Sequence, residues 1–566
     1  MRTNTTAIEM SSSSDSNALV VKGHTPRTRV ATRLHSAAGM CIGLNVCLRV
    51  CLQGLVLSST AFFAGSSTGC SSSKERFVSD RPLADLKDSK ADARLRVNAV
   101  DQSRAQAGDD LVSLNATITA YKDVLWRLRE PVEVREKILD VMLSDPNPVV
   151  VEAARAEGRN LLPLETSRRI VIKFAAAAAD RGWTEYNGPL IRSWAKAVGQ
   201  RIGEDDRAER AALIKLNPGK EPIRIVLDSF VNPPEPPPGS SSDWLKRFRR
   251  DAWDLLARLD DTGSARMDLI TNQYASASAD PAVIALRRSA ADLGAIPITG
   301  DELSWLTSLV DPEKPENVAW WEQAKTAVAR ARSKGPFEIR HAEALRWAMV
   351  NTPARLNASR EELMSELRAR LDTRTLIGRK SDQGGARVRD RIDDWKDSIK
   401  WADLLTILVI DDAISTPGLM DTLYTQSAMD MADTTTEYGG IIGFSDQLRT
   451  RKVTNASSSL STARSVAVLF PPRPRERQGD NKFVASTDMI SASDRALIHY
   501  HFHVQQHRNI DYAGPSAGDL TYAARSGRNC IVITSISQGV LGIDYYQPDG
   551  KVIDLGTVEI AGVASR

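Results

Sequence analysis

The chain is short of the residues that would staple it, thread it through a membrane or charge it with one sign. Of its five cysteines, Cys41, Cys47, Cys51 and Cys70 all fall within the first 70 positions, so a disulfide framework is not expected. The fifth, Cys530, sits in Asn529-Cys530-Ile531-Val532-Ile533 and reads as a small core hydrophobe on a strand. Lysine and arginine (74) balance aspartate and glutamate (71) to a net +3, which leaves no electrostatic footprint for nucleic acid. No apolar run reaches the length of about 20 residues that a membrane span needs. Tryptophan is missing from the last stretch: all eleven lie between Trp126 and Trp401, which marks a boundary near residue 400. Histidine is scarce too, with seven in 566 residues, yet His499, His501, His503 and His507 crowd into one short segment.

A chain of this length exceeds one compact core, and its organisation is readable in parts. Residues 1–69 carry Lys22, Arg27, Arg29 and Arg33 ahead of an apolar stretch whose uninterrupted part is Gly54 to Gly65, as in a signal-peptide core. Ser67-Thr68-Gly69-Cys70-Ser71-Ser72-Ser73 resembles a bacterial lipoprotein processing site, which implies export and a lipid anchor at Cys70; a mis-assigned leader would leave the protein cytoplasmic. A Ser-rich tether over 70–80 follows.

From 81 to 231 and again from 244 to 400 the pattern is helical. Val134, Ile138, Val141 and Met142 follow helical spacing behind Pro131, and Ser359-Arg360-Glu361-Glu362 forms a capping box ahead of Leu363 and Leu367. Some segments look like pairs of short helices, for instance Leu86 to Leu95, which has the character of a HEAT-type helix, although no clean period supports a regular solenoid. Between the two regions, 232–243 is Pro- and Ser-rich and reads as a linker.

Beyond 400 the pattern turns to strands, expected at Leu404–Ile410, Tyr438–Phe444, Val466–Phe470, Ala496–Val504, Cys530–Ile536, Val540–Tyr546 and Val552–Leu555. One helix is expected from Thr416 with Pro417 first inside, another from Ser516 to Gly527. The fold class is therefore multidomain: an N-terminal all-α part, then a C-terminal α/β domain over 401–566.

The histidine cluster carries the chemistry. On a strand, alternate side chains share a face, so His501 and His503 can hold one ion between two imidazoles, and Asp519 a loop later can close the site. His499 with His501 is the alternative register. Three protein ligands with an open position is the usual form of a catalytic zinc site. Such a site still needs a base, and Glu437 in Thr436-Glu437-Tyr438-Gly439-Gly440-Ile441-Ile442-Gly443 is the candidate.

Taken in order, Glu-x-Gly-Gly-x-x-Gly, a strand ending in His-x-His and Pro-Ser-x-x-Asp-Leu opening a helix resemble the JAMM motif of MPN-domain (Mov34/PAD-1, JAB-type) zinc metalloproteases. The resemblance covers about 402–566. It implies a core like that of cytidine deaminases, one zinc per chain held by His501, His503 and Asp519, Glu437 as general acid/base, and Ser516 as the hydroxyl that hydrogen-bonds the oxyanion. It also implies a protein or peptide substrate cleaved at a peptide or isopeptide bond. Two departures stand out. Twelve residues separate His503 from Ser516, more than the family's usual spacing, and Val504 replaces its frequent proline. A longer loop costs little in closure entropy, and His507 and Asp511 within it are candidates for shaping substrate entry. A non-catalytic helical scaffold is the competing class. A nucleobase deaminase is disfavoured, because no His-x-Glu is paired with Pro-Cys-x-x-Cys.

Overall fold

A computed structural model describes residues 78–196, 203–268, 270–271, 280–380, 387–416, 418–445 and 464–560. The leader, Cys70, most of the tether and Pro417 lie outside the described residues. None of the described helices is long and apolar enough to cross a membrane.

Up to Leu371 the described elements are helices, from Pro82–Lys87 to Arg360–Leu371. Their starts follow local chemistry. Proline opens Pro148–Leu161 and Pro281–Asp292 behind Asn147 and Asp280, whose side chains accept from first-turn amides. Ser359 and Glu362 form the capping box read from the sequence. The stretch Leu86 to Leu95 joins two helices: Asp88 to Asp92 turn the chain between Pro82–Lys87 and Ala93–Ala107, with Asp92 capping the second. Aspartate serves better as cap and turn former than as helix interior, and here that preference wins.

A buried ion pair recurs along this region. Arg96 Nε donates to the Leu86 carbonyl at 3.1 Å and its guanidinium pairs with Glu130 at 2.5 Å. In the next pair of helices Arg135 Nε donates to the Leu125 carbonyl at 3.0 Å and its guanidinium pairs with Glu165. Each arginine thus reaches ten residues back to a carbonyl and forward to a glutamate, satisfying a charge that would otherwise be costly to bury. The Pro-rich stretch before Trp244 carries no helix or strand. It lies against the helix Asn187–Ala195, where a Cβ on Gly188 would stand 2.7 Å from Pro234.

Among the C-terminal helices, α1 (Trp401–Ile414) corrects the strand expected at Leu404–Ile410. Every residue of α1 except Asp412 is buried, so its apolar run has no polar face to reveal a helical period, and a run of that kind does not separate strand from helix. The Lys400 N–H donates to Asp403 at 3.0 Å and starts the helix. Helix α1 packs against Ala342–Asn351, Arg360–Leu371 and α2 (Leu419–Met431). The expected start of α2 at Thr416 also moves. Thr416 belongs to the turn that ends α1, and Gly418, at φ 82°, sets the chain into α2. Left-handed backbone of this kind suits glycine.

The sheet is mixed, with order β3-β2-β5-β6-β7-β8. Its strands are β2 (Gly439–Phe444), β3 (Ser465–Leu469), β5 (Ile498–His503), β6 (Cys530–Ser537), β7 (Val540–Tyr546) and β8 (Val552–Glu559). Only β5 and β6 are parallel. Two further strands, β1 (Thr436–Glu437) and β4 (Gly479–Phe483), form a small parallel pair. Helix α3 (Thr487–Ala492) precedes β5, and α4 (Ala517–Ser526) lies between β5 and β6, capped by Ser516 and closed by Gly527 in left-handed conformation, as the sequence predicts.

All six residues of β5 are buried. Tyr500 and Phe502 face α2, where Tyr500 Oη donates to Gln426 at 2.5 Å. The histidines between them therefore face α4. The two glycines opposite are sterically required. A Cβ on Gly439 would lie 2.7 Å from the Tyr500 carbonyl, and one on Gly440 would strike the Val468 carbonyl and the Tyr500 ring. One continuous apolar cluster runs from Leu86 to Ile560 and joins the helices to the sheet.

Candidate metal centre

Strand β5 brings His501 and His503 to the same face with their Nε2 atoms 3.3 Å apart. Asp519, in the first turn of α4, sets Oδ1 3.2 Å from His501 Nε2 and Oδ2 3.7 Å from His503 Nε2. A tetrahedral zinc with ligands at about 2.0–2.1 Å places its ligand atoms about 3.3 Å apart. The His501–His503 and His501–Asp519 separations match that edge length, whereas Asp519 meets His503 through its other oxygen and at the longer distance.

Glu437 completes the group. It is 3 % exposed at the end of β1, and Glu437, His501 and His503 offer three ligand atoms that all lie within 4.8 Å of one another. The pairing of β1 with β4 is irregular between Thr436 and Glu437, the chain pairs with β5 from Gly439 onward, and between them the Tyr438 N–H donates to the buried carboxylate of Asp430 at 2.5 Å.

A hydrogen bond prepares the His503 imidazole for a cation. His503 Nδ1 lies 2.7 Å from the Tyr512 carbonyl, which can only accept, so Nδ1 carries the proton and a neutral His503 presents a bare lone pair at Nε2. Burial, with the positive field of His501 behind it, lowers the His503 pKa to about 4, which keeps the ring neutral. Burial works against a charged His501 as well, but the adjacent Asp519 and Glu437 carboxylates overcome it and its pKa is raised. Asp519 answers in kind: burial disfavours its charge, yet His501 holds its pKa below the usual carboxylate value. Phe483 stacks on the His501 ring at 4.7 Å and walls that side of the site.

Glu437 behaves differently from Asp519. Burial, reinforced by the fields of Asp519 and Asp480, raises its pKa to about 7. Two carboxylates in one site are thus pushed apart, one held ionised and one poised near neutrality. That division suits a ligand and an acid/base.

Ser516 is exposed and caps α4. Its N–H donates to Asp519 Oδ2 at 2.7 Å, and its Oγ accepts from the Asp519 N–H at 3.3 Å. Asp519 therefore divides its oxygens between the helix cap and His501, while the Ser516 hydroxyl proton stays uncommitted by that bond. His499 stands apart from the other two histidines. Its Nδ1 lies 2.8 Å from Tyr522 Oη, and its buried Nε2 has no hydrogen-bond partner. His507 and Asp511 are exposed on the loop, with the His507 carbonyl held by Ser535 Oγ at 2.8 Å.

No known protein family, curated protein or solved structure matches the chain. The site therefore rests on its own geometry.

Several of its members have no motif behind them. Gln505 and Asn509 on the loop after His503, Tyr512 through its carbonyl, Phe483 on β4 and Asp430 on α2 enter through folding alone. The one sequence signal pointing to any of them is the lengthened loop, which holds Gln505, Asn509 and Tyr512.

Proposed function

We propose that the protein is a zinc-dependent hydrolase of JAMM type, acting on a peptide or isopeptide carbonyl. The observation that carries this reading is the convergence on one point of His501 Nε2 and His503 Nε2, 3.3 Å apart, with the buried Glu437 and the two oxygens of Asp519 around them. Nitrogen and oxygen ligands in this number suit zinc. Zinc held there supplies Lewis acidity and lowers the pKa of water from about 15.7 to about 7. Glu437 then takes the proton from the attacking water and passes it to the leaving amine, a role worth about 10² to 10⁴ in rate. The Ser516 hydroxyl donates to the oxygen on which charge develops. An MPN-type core fits the mixed sheet with α4 against its histidine strand, and the helical region, read as an irregular HEAT-like array, supplies the surface for a substrate or partner. Export and lipid attachment at Cys70 belong to the same reading and place the substrate in the cell envelope.

A second reading has one observation in its favour. With Glu437 close enough to ligate, four side chains would close the site, and closed sites are structural. Metal analysis of the full chain and of Glu437→Gln separates the two. The first reading expects about one zinc per chain in both proteins and loss of cleavage in the variant. Loss of zinc from Glu437→Gln supports the closed site, and a metal-free wild type with intact fold refutes both.

A further inference from the structure

Glu437 stands where it can serve as base beside a metal or as a ligand on it, and those roles exclude each other. What holds it is a short relay of side-chain amides. Gln505 Nε2 donates to Glu437 Oε1 at 3.2 Å and to the Asp480 carbonyl at 2.7 Å, while Gln505 Oε1 accepts from Asn509 Nδ2. Asn509 is itself buried, and its backbone N–H donates to the Ser535 carbonyl of β6 at 2.8 Å. The direction of both amides follows from their partners. A carbonyl and a carboxylate can only accept, so Gln505 must turn its NH₂ toward Asp480 and Glu437, and its oxygen then requires the NH₂ of Asn509.

We infer that Gln505 is a positioning residue that holds Glu437 off the metal, keeping the carboxylate a base and the fourth metal position open. The inference rests on the zinc reading above. Gln505 commits both amide hydrogens, one to β1 through Glu437 and one to β4 through Asp480, so the carboxylate is tied to a rigid frame rather than to a flexible neighbour. Once that tie is cut, the nearest strong positive charge for Glu437 is the metal itself, and a bound cation dominates the local field. The loop that carries Gln505 is anchored to do this. The His503 ring donates to its Tyr512 carbonyl at 2.7 Å, and Arg387 donates to its Ile510 carbonyl at 2.6 Å. The residues that lengthen the segment between His503 and Ser516 thus fix a ligand on one side of the site and the base on the other.

The test uses the full chain loaded with cobalt(II), whose visible absorption reports its ligands, and azide as a probe for an open position. Wild type is expected to bind azide with a spectral change. Gln505→Ala is expected to show a shifted cobalt spectrum before azide is added. Outer-shell partners of metal sites are typically worth about 10- to 100-fold, so the azide concentration at half-change should rise by about tenfold or more. Gln505→Ala combined with Glu437→Gln should recover the wild-type azide response, which a general loosening of the site would not do. Asn509→Leu removes the donor that fixes the Gln505 oxygen, loosens the hold on Glu437, and should shift the spectrum in the same direction; this variant decides the matter if Gln505→Ala does not fold. A folded, cobalt-loaded variant of either kind with the wild-type spectrum and azide titration overturns the inference while leaving the metal centre standing. A folded wild type that takes up no cobalt overturns the metal reading as well, a different and separately visible result.

Discussion

Ser516 has two functions in this reading, and three substitutions pull them apart. Its Oγ accepts from the Asp519 N–H at 3.3 Å as a helix cap, and its hydroxyl proton is the proposed donor to the developing oxyanion. Ser516→Ala removes both. Loss of an N-cap costs about 1 kcal/mol, or about fivefold in local opening, and the Asp519 amide reports it directly because that amide is the donor. Native-state hydrogen exchange should show its protection falling by about that factor. Loss of one oxyanion donor costs about 10² to 10³ in kcat, a far larger effect. Zinc content should hold, because the Ser516 N–H that braces Asp519 Oδ2 at 2.7 Å is backbone and survives the change. Ser516→Asp, a good N-cap, should restore the protection of the Asp519 amide without restoring kcat. Ser516→Thr should keep both. Cleavage would be followed by mass spectrometry on a peptide-library substrate. The reasoning fails if Ser516→Asp regains wild-type turnover, or if the loss of kcat in Ser516→Ala is no larger than its loss of zinc.

Other outcomes follow from named contacts. Chelation should lower the thermal midpoint of the C-terminal part and zinc should restore it, because an ion that binds only the folded state adds about 2.7 kcal/mol at 100 times its Kd; a midpoint indifferent to chelator counts against the site. Glu165→Gln leaves the buried Arg135 guanidinium without its counter-charge and should cost about 3–5 kcal/mol by denaturant titration, whereas a loss below about 1 kcal/mol would show that the pair is dispensable. Gly440→Ala drives a methyl into the Val468 carbonyl and the Tyr500 ring and should abolish soluble folded protein, as read by circular dichroism. Burial alone would raise the pKa of Glu338, but Arg340, His341 and Lys400 overcome it and lower it to about 2. A lowered carboxylate pKa contributes stability above its unfolded value and loses it on acidification, so about 3 kcal/mol should disappear as pH falls from about 4.5 to 2, and Arg340→Met should flatten that part of the pH profile.

The histidine strand, the capped helix α4 and most of the sheet were legible because each depends on local signals: alternation along β5, Ser516 with Asp519 at a helix start, and glycine at its end. Helix α1 was not. Its residues are buried on every side, and the direction of apolar residues, which distinguishes a helix from a strand, carries no contrast when all directions are apolar. The short β1–β4 pair escaped for another reason. Thr436–Glu437 is two residues long, and its partner Gly479–Phe483 is polar, so neither has enough alternation to register. The motif residues of the centre could be named from sequence, but their supports could not. Gln505 reaches Glu437 across 68 positions of chain, and Phe483 covers His501 through a strand pairing that only the folded chain creates.

Helix α1 also has a consequence for how this protein can be divided. Its inward faces meet both the preceding helices and α2, and Arg370 and Arg374 neutralise its buried Asp411 at 2.9 and 2.6 Å. A cut at residue 400 would remove two of the helices that bury α1 and strand an aspartate without its cations. The sheet and its metal-ligand candidates are thus not a portable cassette: any shuffling, truncation or grafting that keeps the chemistry has to carry the helices on the other side of α1 along with it.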